Sequence, residues 1–202
     1  MNSNSRAAAV STVGYLCLGL AGWMFSMGAA SWFSHEYGLA LLYPLVIVLG
    51  VMGILAFVQE RGLDSIVFFA GATLLGLAGA YSGMLSMGKA AEPASFLGWF
   101  AILWAVFFCY IWAGSLKSGT SRMLFLLGAW ITMLALAIGC WTGVSGFLMA
   151  GGYLGLITSI FAVITSASEV FRLGTSTGTS PSMGTSAGTA TGTGHAQTMA
   201  AD

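Results

Sequence analysis

The feature that most constrains this chain is an uninterrupted apolar run near its middle. Residues 96–114 are nineteen consecutive positions without a charged side chain. At about 1.5 Å of rise per residue, a helix of this length spans roughly 28 Å, close to the ~30 Å hydrocarbon core of a bilayer. The run is bounded by Pro93 before it and Lys117 after it. It predicts a transmembrane helix.

The composition indicates that this span belongs to a larger membrane domain. Of the 202 residues, 57% are hydrophobic and only 6% are charged, whereas about a quarter of the residues in a soluble domain are charged. Such a chain cannot cover a water-facing surface, so we predict a multi-pass protein with the lipid bilayer as its surroundings. The formal net charge of zero leaves no large basic patch, and we expect no nucleic-acid partner.

Six apolar segments follow one another, separated by short polar links. We predict membrane spans at about 9–33, 38–58, 64–87, 95–117, 121–142 and 147–170. Backbone groups have no water to bond inside a bilayer, so the spans must be helices, and short links make successive helices antiparallel neighbours. Side-chain acceptors stand at the first turns of spans three, four and five, namely Asp64, Ser95 and Ser121. The predicted fold is an all-α membrane protein, a six-transmembrane-helix bundle.

The two ends of the chain differ in composition from this bundle. We predict a short N-terminus at 1–8, a transmembrane domain at 9–173 and a tail at 174–202. The tail is mostly Gly, Thr, Ser and Ala, which cannot bury enough apolar surface to offset the entropy of ordering, so we expect it to be disordered.

The distribution of positive charge predicts the orientation in the membrane. The side that would carry the N-terminus has five of the six basic residues and the opposite side has one, Lys89. By the positive-inside rule both termini then lie in the cytoplasm, and a plasma membrane or a bacterial inner membrane is the expected location. The five are Arg6, Arg61, Lys117, Arg122 and Arg172.

No arrangement of residues typical of catalysis or metal binding is visible. The sequence has no Gly-rich phosphate loop, no nucleophile elbow, no paired carboxylates within a span and no His/Glu metal motif. The three cysteines lie in apolar runs and the two histidines are far apart, which favours buried thiols over metal ligands. We therefore expect no enzyme activity, no metal and no cofactor.

Polar and small residues within the spans indicate a conduit for a small solute. On span six, four residues follow one another at spacings of four, three and four, which places them on one helix face. They are Thr158, Ala162, Thr165 and Glu169. Spans one and five add further small or hydroxyl-bearing positions. No span has a charge near its centre, which favours a solute that crosses neutral or as a weakly charged pair. The predicted pathway contains Gly22, Ser26, Thr132, Thr158, Ala162, Thr165 and Glu169.

Each of these features has an alternative interpretation. The hydroxyl groups of span six could bond back to carbonyl groups of their own helix. Glu169 could be an interface anchor paired with a neighbour such as Arg172. The many aromatic residues of span four could either pack against lipid and neighbouring helices or form a constriction in a pore.

An ordered set of short segments resembles the acetate uptake transporter family, the succinate–acetate permease type. The resemblance covers about residues 55–171 and is strongest from Ser95 onward. It is carried by ERG at 60–62, SFLGW at 95–99, GSLK at 114–117, ALAIG at 135–139, GLI at 155–157 and SEV at 168–170.

The resemblance implies a fold and an activity. Members of the family have six helices around a pore in each protomer, and known members assemble as hexameric rings. They move acetate and related small monocarboxylates, some move succinate, and transport is generally coupled to protons. By resemblance, positions that shape substrate choice fall near Ala129 and at Ala162, which adds Ala129 to the predicted pathway. The expected partners are therefore a small carboxylate and further copies of this chain in a ring-like homo-oligomer.

The start of span one departs from the family. Where members have an Asn-Pro-Ala-Pro-Leu-Gly-Leu type motif, this chain reads VSTVGYL at 10–16, without the asparagine and both prolines. In the family this motif is tied to substrate handling. Two functions are therefore kept: a transporter or channel for acetate-like monocarboxylates, or a divergent member that is an accessory subunit of a membrane assembly.

Overall fold

The computed structural model describes residues 3–32, 35–86 and 94–177, which form helices and short turns and contain no strand. This confirms the predicted all-α fold with six helices. Five of the helices are long and apolar enough to cross a membrane, and α2 contributes an apolar stretch at Leu42–Val58. The helices are α1 (Ser3–Ala29), α2 (His35–Val58), α3 (Gly62–Ser86), α4 (Ala94–Ser115), α5 (Thr120–Thr142) and α6 (Ser145–Thr177).

The first and last helices extend beyond the predicted spans. α1 begins at Ser3 rather than near residue 9, because no proline interrupts the backbone hydrogen bonds at the altered start of span one. α6 continues to Thr177, past the predicted start of the tail at 174, since the first proline after it is Pro181. Residues 178–202, which are the rest of the predicted tail, and Lys89 lie outside the described residues.

The six helices close into a ring in chain order. Each helix packs against the next one, and α6 packs back against α1. α1 also contacts α3, whereas the contact between α3 and α4 is the smallest among the neighbouring pairs. The short links account for this order, because they leave each helix beside its successor.

The interface between α1 and α6 is built on glycine. A Cβ atom added at Gly152 would lie 2.6 Å from the backbone nitrogen of Ala30, and one added at Gly155 would overlap Ser26 Oγ. Only a residue without a side chain lets the two backbones approach this closely. The approach holds the last part of α1 against the first part of α6.

The two ends of the bundle have different chemistry. At the end where α1, α3 and α5 begin and α6 finishes, charged side chains meet, and we call it the charged end. At the other end, Trp32 Nε1 donates to Tyr153 Oη at 3.4 Å and the rings of Trp99 and Trp141 meet edge-to-face at 5.1 Å. Aromatic residues of this kind favour the membrane–water interface, and we call this the aromatic end.

Candidate functional site

A cavity lies between α1, α3, α5 and α6, with Phe108 of α4 at its side. Its free space is about 70 Å³, whereas about 10–15 Å³ is enough for one water molecule, so there is room for a small solute. The wall is mostly apolar with a few hydroxyl groups. The lining residues are Leu18, Gly22, Phe25, Ser26, Val67, Gly71, Leu74, Leu75, Phe108, Phe125, Ala129, Thr132, Met133, Gly155, Thr158 and Ser159.

The structure brings five of the eight predicted pathway residues together in this wall. They come from three helices: Gly22 and Ser26 from α1, Ala129 and Thr132 from α5, and Thr158 from α6. All three hydroxyl-bearing residues among them are buried. The convergence of small and hydroxyl side chains from separate helices is the arrangement that a small-solute site requires.

The other three predicted residues lie outside the wall, on α6. Ala162, Thr165 and Glu169 are buried, as is Thr158, while residues such as Ile157 and Ile164 on α6 are exposed. The four predicted residues therefore share the side of α6 that faces the bundle. From Thr158 to Glu169 this side leads from the cavity towards the charged end.

Both threonine hydroxyl groups of the predicted path on α6 bond to their own helix. Thr158 Oγ1 donates to the carbonyl of Leu154, and Thr165 Oγ1 donates to that of Phe161, both at 2.8 Å. The alternative interpretation of back-bonding is therefore correct for these residues. Since the Thr158 hydrogen is used, its oxygen can only accept from Thr132 Oγ1, which lies 3.5 Å away. At that length the bond is weak, so the Thr132 hydroxyl hydrogen is available to a ligand in the cavity.

A buried ionic network lies at the charged end. Asp64 is only 2% exposed and accepts hydrogen bonds from Ser11 Oγ at 2.6 Å and Tyr15 Oη at 3.0 Å. It also pairs with Arg61 at 2.8 Å and with Arg122 at 3.3 Å. A carboxylate taken out of water needs such partners, because burying it without them is very unfavourable. Asp64 therefore joins α1, α3 and α5 at this end.

Arg122 extends the network to α6. Its Nη2 atom lies 3.4 Å from Glu169 Oε1 as well as 3.3 Å from Asp64 Oδ1. Its guanidinium group lies 5.3 Å from the centre of the Tyr15 ring, within cation–π range. Glu169 therefore has a partner on another helix, whereas Arg172, the neighbour we had expected, has a side chain outside the described part of the chain.

An aromatic layer separates the ionic network from the cavity. The Tyr15 ring meets Phe68 edge-to-face at 5.1 Å and Phe125 at 6.2 Å. The Phe68 ring lies directly against Gly14, where a Cβ atom would overlap it. Because Phe125 also lines the cavity, the order from the charged end inwards is ionic network, aromatic layer and cavity.

The sequence did not reveal the most strongly connected residues of this end. Asp64 was interpreted as a helix-start acceptor, Arg122 only as an orientation charge, and Ser11 and Tyr15 as part of an altered motif. The one local signal was the spacing of three between Arg61 and Asp64, which places both on one helical turn. The departure from the family motif thus falls on the part of α1 that supplies two of the Asp64 partners.

Of the eight aromatic residues of α4, Phe108 is the one that lines the cavity. Phe96, Trp99 and Tyr110 are 55–66% exposed, which fits side chains that face lipid. Phe108 is 4% exposed and reaches the cavity wall. Packing therefore accounts for these exposed aromatics, and Phe108 is the α4 residue in the wall.

Comparison with known proteins identifies the family of this chain. The model of the GPR1/FUN34/yaaH family matches residues 66–184, more than half of the chain. The chain belongs to this family. The predicted resemblance to acetate uptake transporters is thereby confirmed. The family match begins after Asp64, so the Asp64 partners on α1 lie outside it, whereas Arg122 and Glu169 lie inside it. No curated protein sequence matches the chain.

A solved structure shares the fold of this GPR1/FUN34/yaaH member. It is described as the structure of the bacterial acetate channel SatP, and it superimposes with a TM-score of 0.73. The match covers 81% of this chain and 92% of that chain, at 20% sequence identity. The similarity establishes the arrangement of the helices in this multi-pass membrane protein.

Proposed function

We propose that this protein is a membrane channel or transporter for acetate-like small monocarboxylates, and not an enzyme. The observation that carries the proposal is the cavity among α1, α3, α5 and α6, whose wall combines small residues with hydroxyl groups. It lies in a member of the GPR1/FUN34/yaaH family that shares its fold with an acetate channel.

The cavity chemistry suits a small monocarboxylate. The hydroxyl of Thr132 can donate to a carboxylate oxygen, and no hydrogen bond among the described residues engages Ser26 Oγ, which is a second potential donor. Apolar wall residues such as Leu18 and Met133 can contact a methyl or ethyl group. Among the described residues, none that lines the cavity is charged, so a second carboxylate would enter without a counter-charge, which is costly. A preference for monocarboxylates over dicarboxylates follows.

The proposed path continues from the cavity along α6. Thr158 stands in the wall, and Ala162, Thr165 and Glu169 succeed it on the buried side of the helix. Ala162 has no exposed surface, so this part of the path must widen for a solute to pass. The path therefore includes a closed segment between the cavity and the charged end in the observed conformation.

The charge balance of the network supports proton coupling. Arg61 and Arg122 carry two positive charges, and Asp64 and Glu169 carry two negative charges when ionised. An acetate ion at this end would add a negative charge to a network that already holds two carboxylates, which is unfavourable in a low-dielectric site. A proton that arrives with the acetate cancels the added charge, so an inward proton gradient should increase uptake.

We also propose a ring-like homo-oligomer, a hexamer by family resemblance, with the charged end facing the cytoplasm of a plasma or bacterial inner membrane. The cavity lies within one protomer, so each copy would carry its own path. Native mass spectrometry in mild detergent is expected to show a sixfold mass, and a stable monomer would contradict the ring. Labelling of single cysteines at the charged end with an impermeant reagent tests the orientation.

Uptake of labelled acetate into proteoliposomes tests the proposed function. The full chain should accumulate acetate above empty liposomes, faster with an inward proton gradient, and unlabelled propionate should compete better than succinate. Reconstituted protein that shows no uptake above empty liposomes with either gradient would overturn the transporter proposal. That result would favour an accessory subunit instead.

A further inference from the structure

Arg122 has hydrogen-bonding capacity that its protein partners do not use. Both of its carboxylate contacts involve one atom, Nη2, at 3.3 Å and 3.4 Å. These distances exceed the ≈ 2.7–2.9 Å of a strong charge-assisted hydrogen bond. Its Nε atom is buried and has no hydrogen-bond partner among the described residues. A buried donor left in this way is costly, and a third carboxylate could satisfy it.

Asp64 does not depend on Arg122 for its compensation. It receives Ser11 at 2.6 Å, Tyr15 at 3.0 Å and Arg61 at 2.8 Å, all shorter than its contact with Arg122 at 3.3 Å. Arg122 can therefore turn towards another carboxylate without leaving Asp64 unpaired. The two arginines of the network therefore differ, because Arg61 makes the shorter contact with Asp64 and Arg122 the longer one.

Arg122 also stands where a solute from the charged end would reach the cavity. It lies three residues before Phe125 on α5, and Phe125 lines the cavity. Its guanidinium group lies over the Tyr15 ring, which belongs to the aromatic layer. Its carboxylate partner Glu169 is at the far end of the proposed path on α6. The guanidinium group is thus one helical turn from the cavity wall.

We propose that Arg122 is the residue that binds the carboxylate of the transported solute at the charged end, in competition with Glu169. The proposal rests on the proposed function. The planar guanidinium group can present Nε and Nη2 together to one carboxylate, a bidentate geometry that lysine cannot reproduce. The incoming carboxylate takes the Nη2 hydrogen bond from Glu169 and occupies the unused Nε–H. No bond is made or broken other than hydrogen bonds.

The competition predicts opposite effects from removing the two partners. Arg122→Gln removes the binding group, so the KM for acetate should rise by about tenfold or more, the effect of losing at least one charge-assisted hydrogen bond. Glu169→Gln removes the competing charge and leaves Arg122 in place, so the KM should fall. Lys117→Gln removes an exposed charge from the same end of the bundle and should leave the KM unchanged.

The experiment measures initial rates of labelled acetate uptake by full-length protein in proteoliposomes over a range of acetate concentrations. Arg122→Lys keeps the positive charge but loses the bidentate geometry, so it should give an intermediate KM. It replaces the glutamine variant in this test if that variant does not fold. A folded Arg122→Gln protein with the wild-type KM would overturn the proposal. So would equal increases in KM for Arg122→Gln and Glu169→Gln, which a purely structural bridge predicts.

A second measurement separates this proposal from the proposed function. Acetate should raise the melting temperature of the detergent-solubilised wild type, and the shift should be lost in Arg122→Gln and retained in Lys117→Gln. If the wild type takes up no acetate but shows this pattern, transport fails and the binding assignment stands. If uptake occurs and the two variants show the same acetate-induced shift, the binding assignment fails alone.

Discussion

The substitution Asp64→Asn tests how much the ionic network contributes to stability. The asparagine has nearly the same shape, but it leaves the guanidinium groups of Arg61 and Arg122 with Glu169 as their remaining carboxylate in the network. Removing one partner from a buried ion pair costs about 3–5 kcal/mol. For a chain of this length, 1 kcal/mol corresponds to about 2–4 °C, so the melting temperature should fall by roughly 6–20 °C.

The assay is thermal unfolding of the purified protein in detergent, followed by size-exclusion chromatography of the soluble fraction. Glu60→Gln is the matched control, since Glu60 is an exposed acidic residue in the link just before α3, and it should melt like the wild type. The double substitution Asp64→Asn with Arg61→Gln leaves Arg122 paired with Glu169 and should recover part of the loss. Equal melting temperatures for Asp64→Asn and Glu60→Gln would refute the assignment of this network as a stabilising element.

Two further substitutions test the helix packing and the cavity. Gly152→Ala should destabilise the fold by about 1–3 kcal/mol, because its Cβ atom would meet the backbone of Ala30. Thermal unfolding measures this loss. Gly50→Ala is the control that should not lose stability, because a Cβ atom at Gly50 would meet open space. Thr132→Val should raise the KM for acetate several-fold by removing a donor from the cavity, whereas Thr73→Val, at an exposed hydroxyl bonded to its own helix, should leave uptake kinetics unchanged.

The helices could be predicted because each depends on local chemistry. A bilayer requires a long charge-free helix, and the polar links between apolar runs mark where each helix ends. The buried side of α6 followed from spacing alone, since Thr158, Ala162, Thr165 and Glu169 recur with the helical period. The start of α1 and the end of α6 lie outside the predicted spans, because no proline stops either helix there.

The ionic network could not be predicted because its members come from different helices. The pairing of Asp64 with Arg122 depends on how α3 and α5 pack, and no sequence spacing encodes that contact. For Glu169 the sequence offered Arg172, one turn away on the same helix, whereas the partner in the structure is Arg122 on α5. The proximity of Tyr15 to Asp64 likewise depends on the α1–α3 interface.

Modification of a cysteine in the cavity wall tests most directly whether acetate passes through the cavity. Thr132→Cys, made in a chain whose three native cysteines are replaced by alanine, would be treated in proteoliposomes with a small anionic methanethiosulfonate reagent. We expect modification to stop acetate uptake and saturating acetate to slow the modification. Ile157→Cys, on the exposed side of α6, should show neither effect. Unchanged uptake after complete modification of Thr132→Cys, or no protection by acetate, would show that acetate does not pass through this cavity.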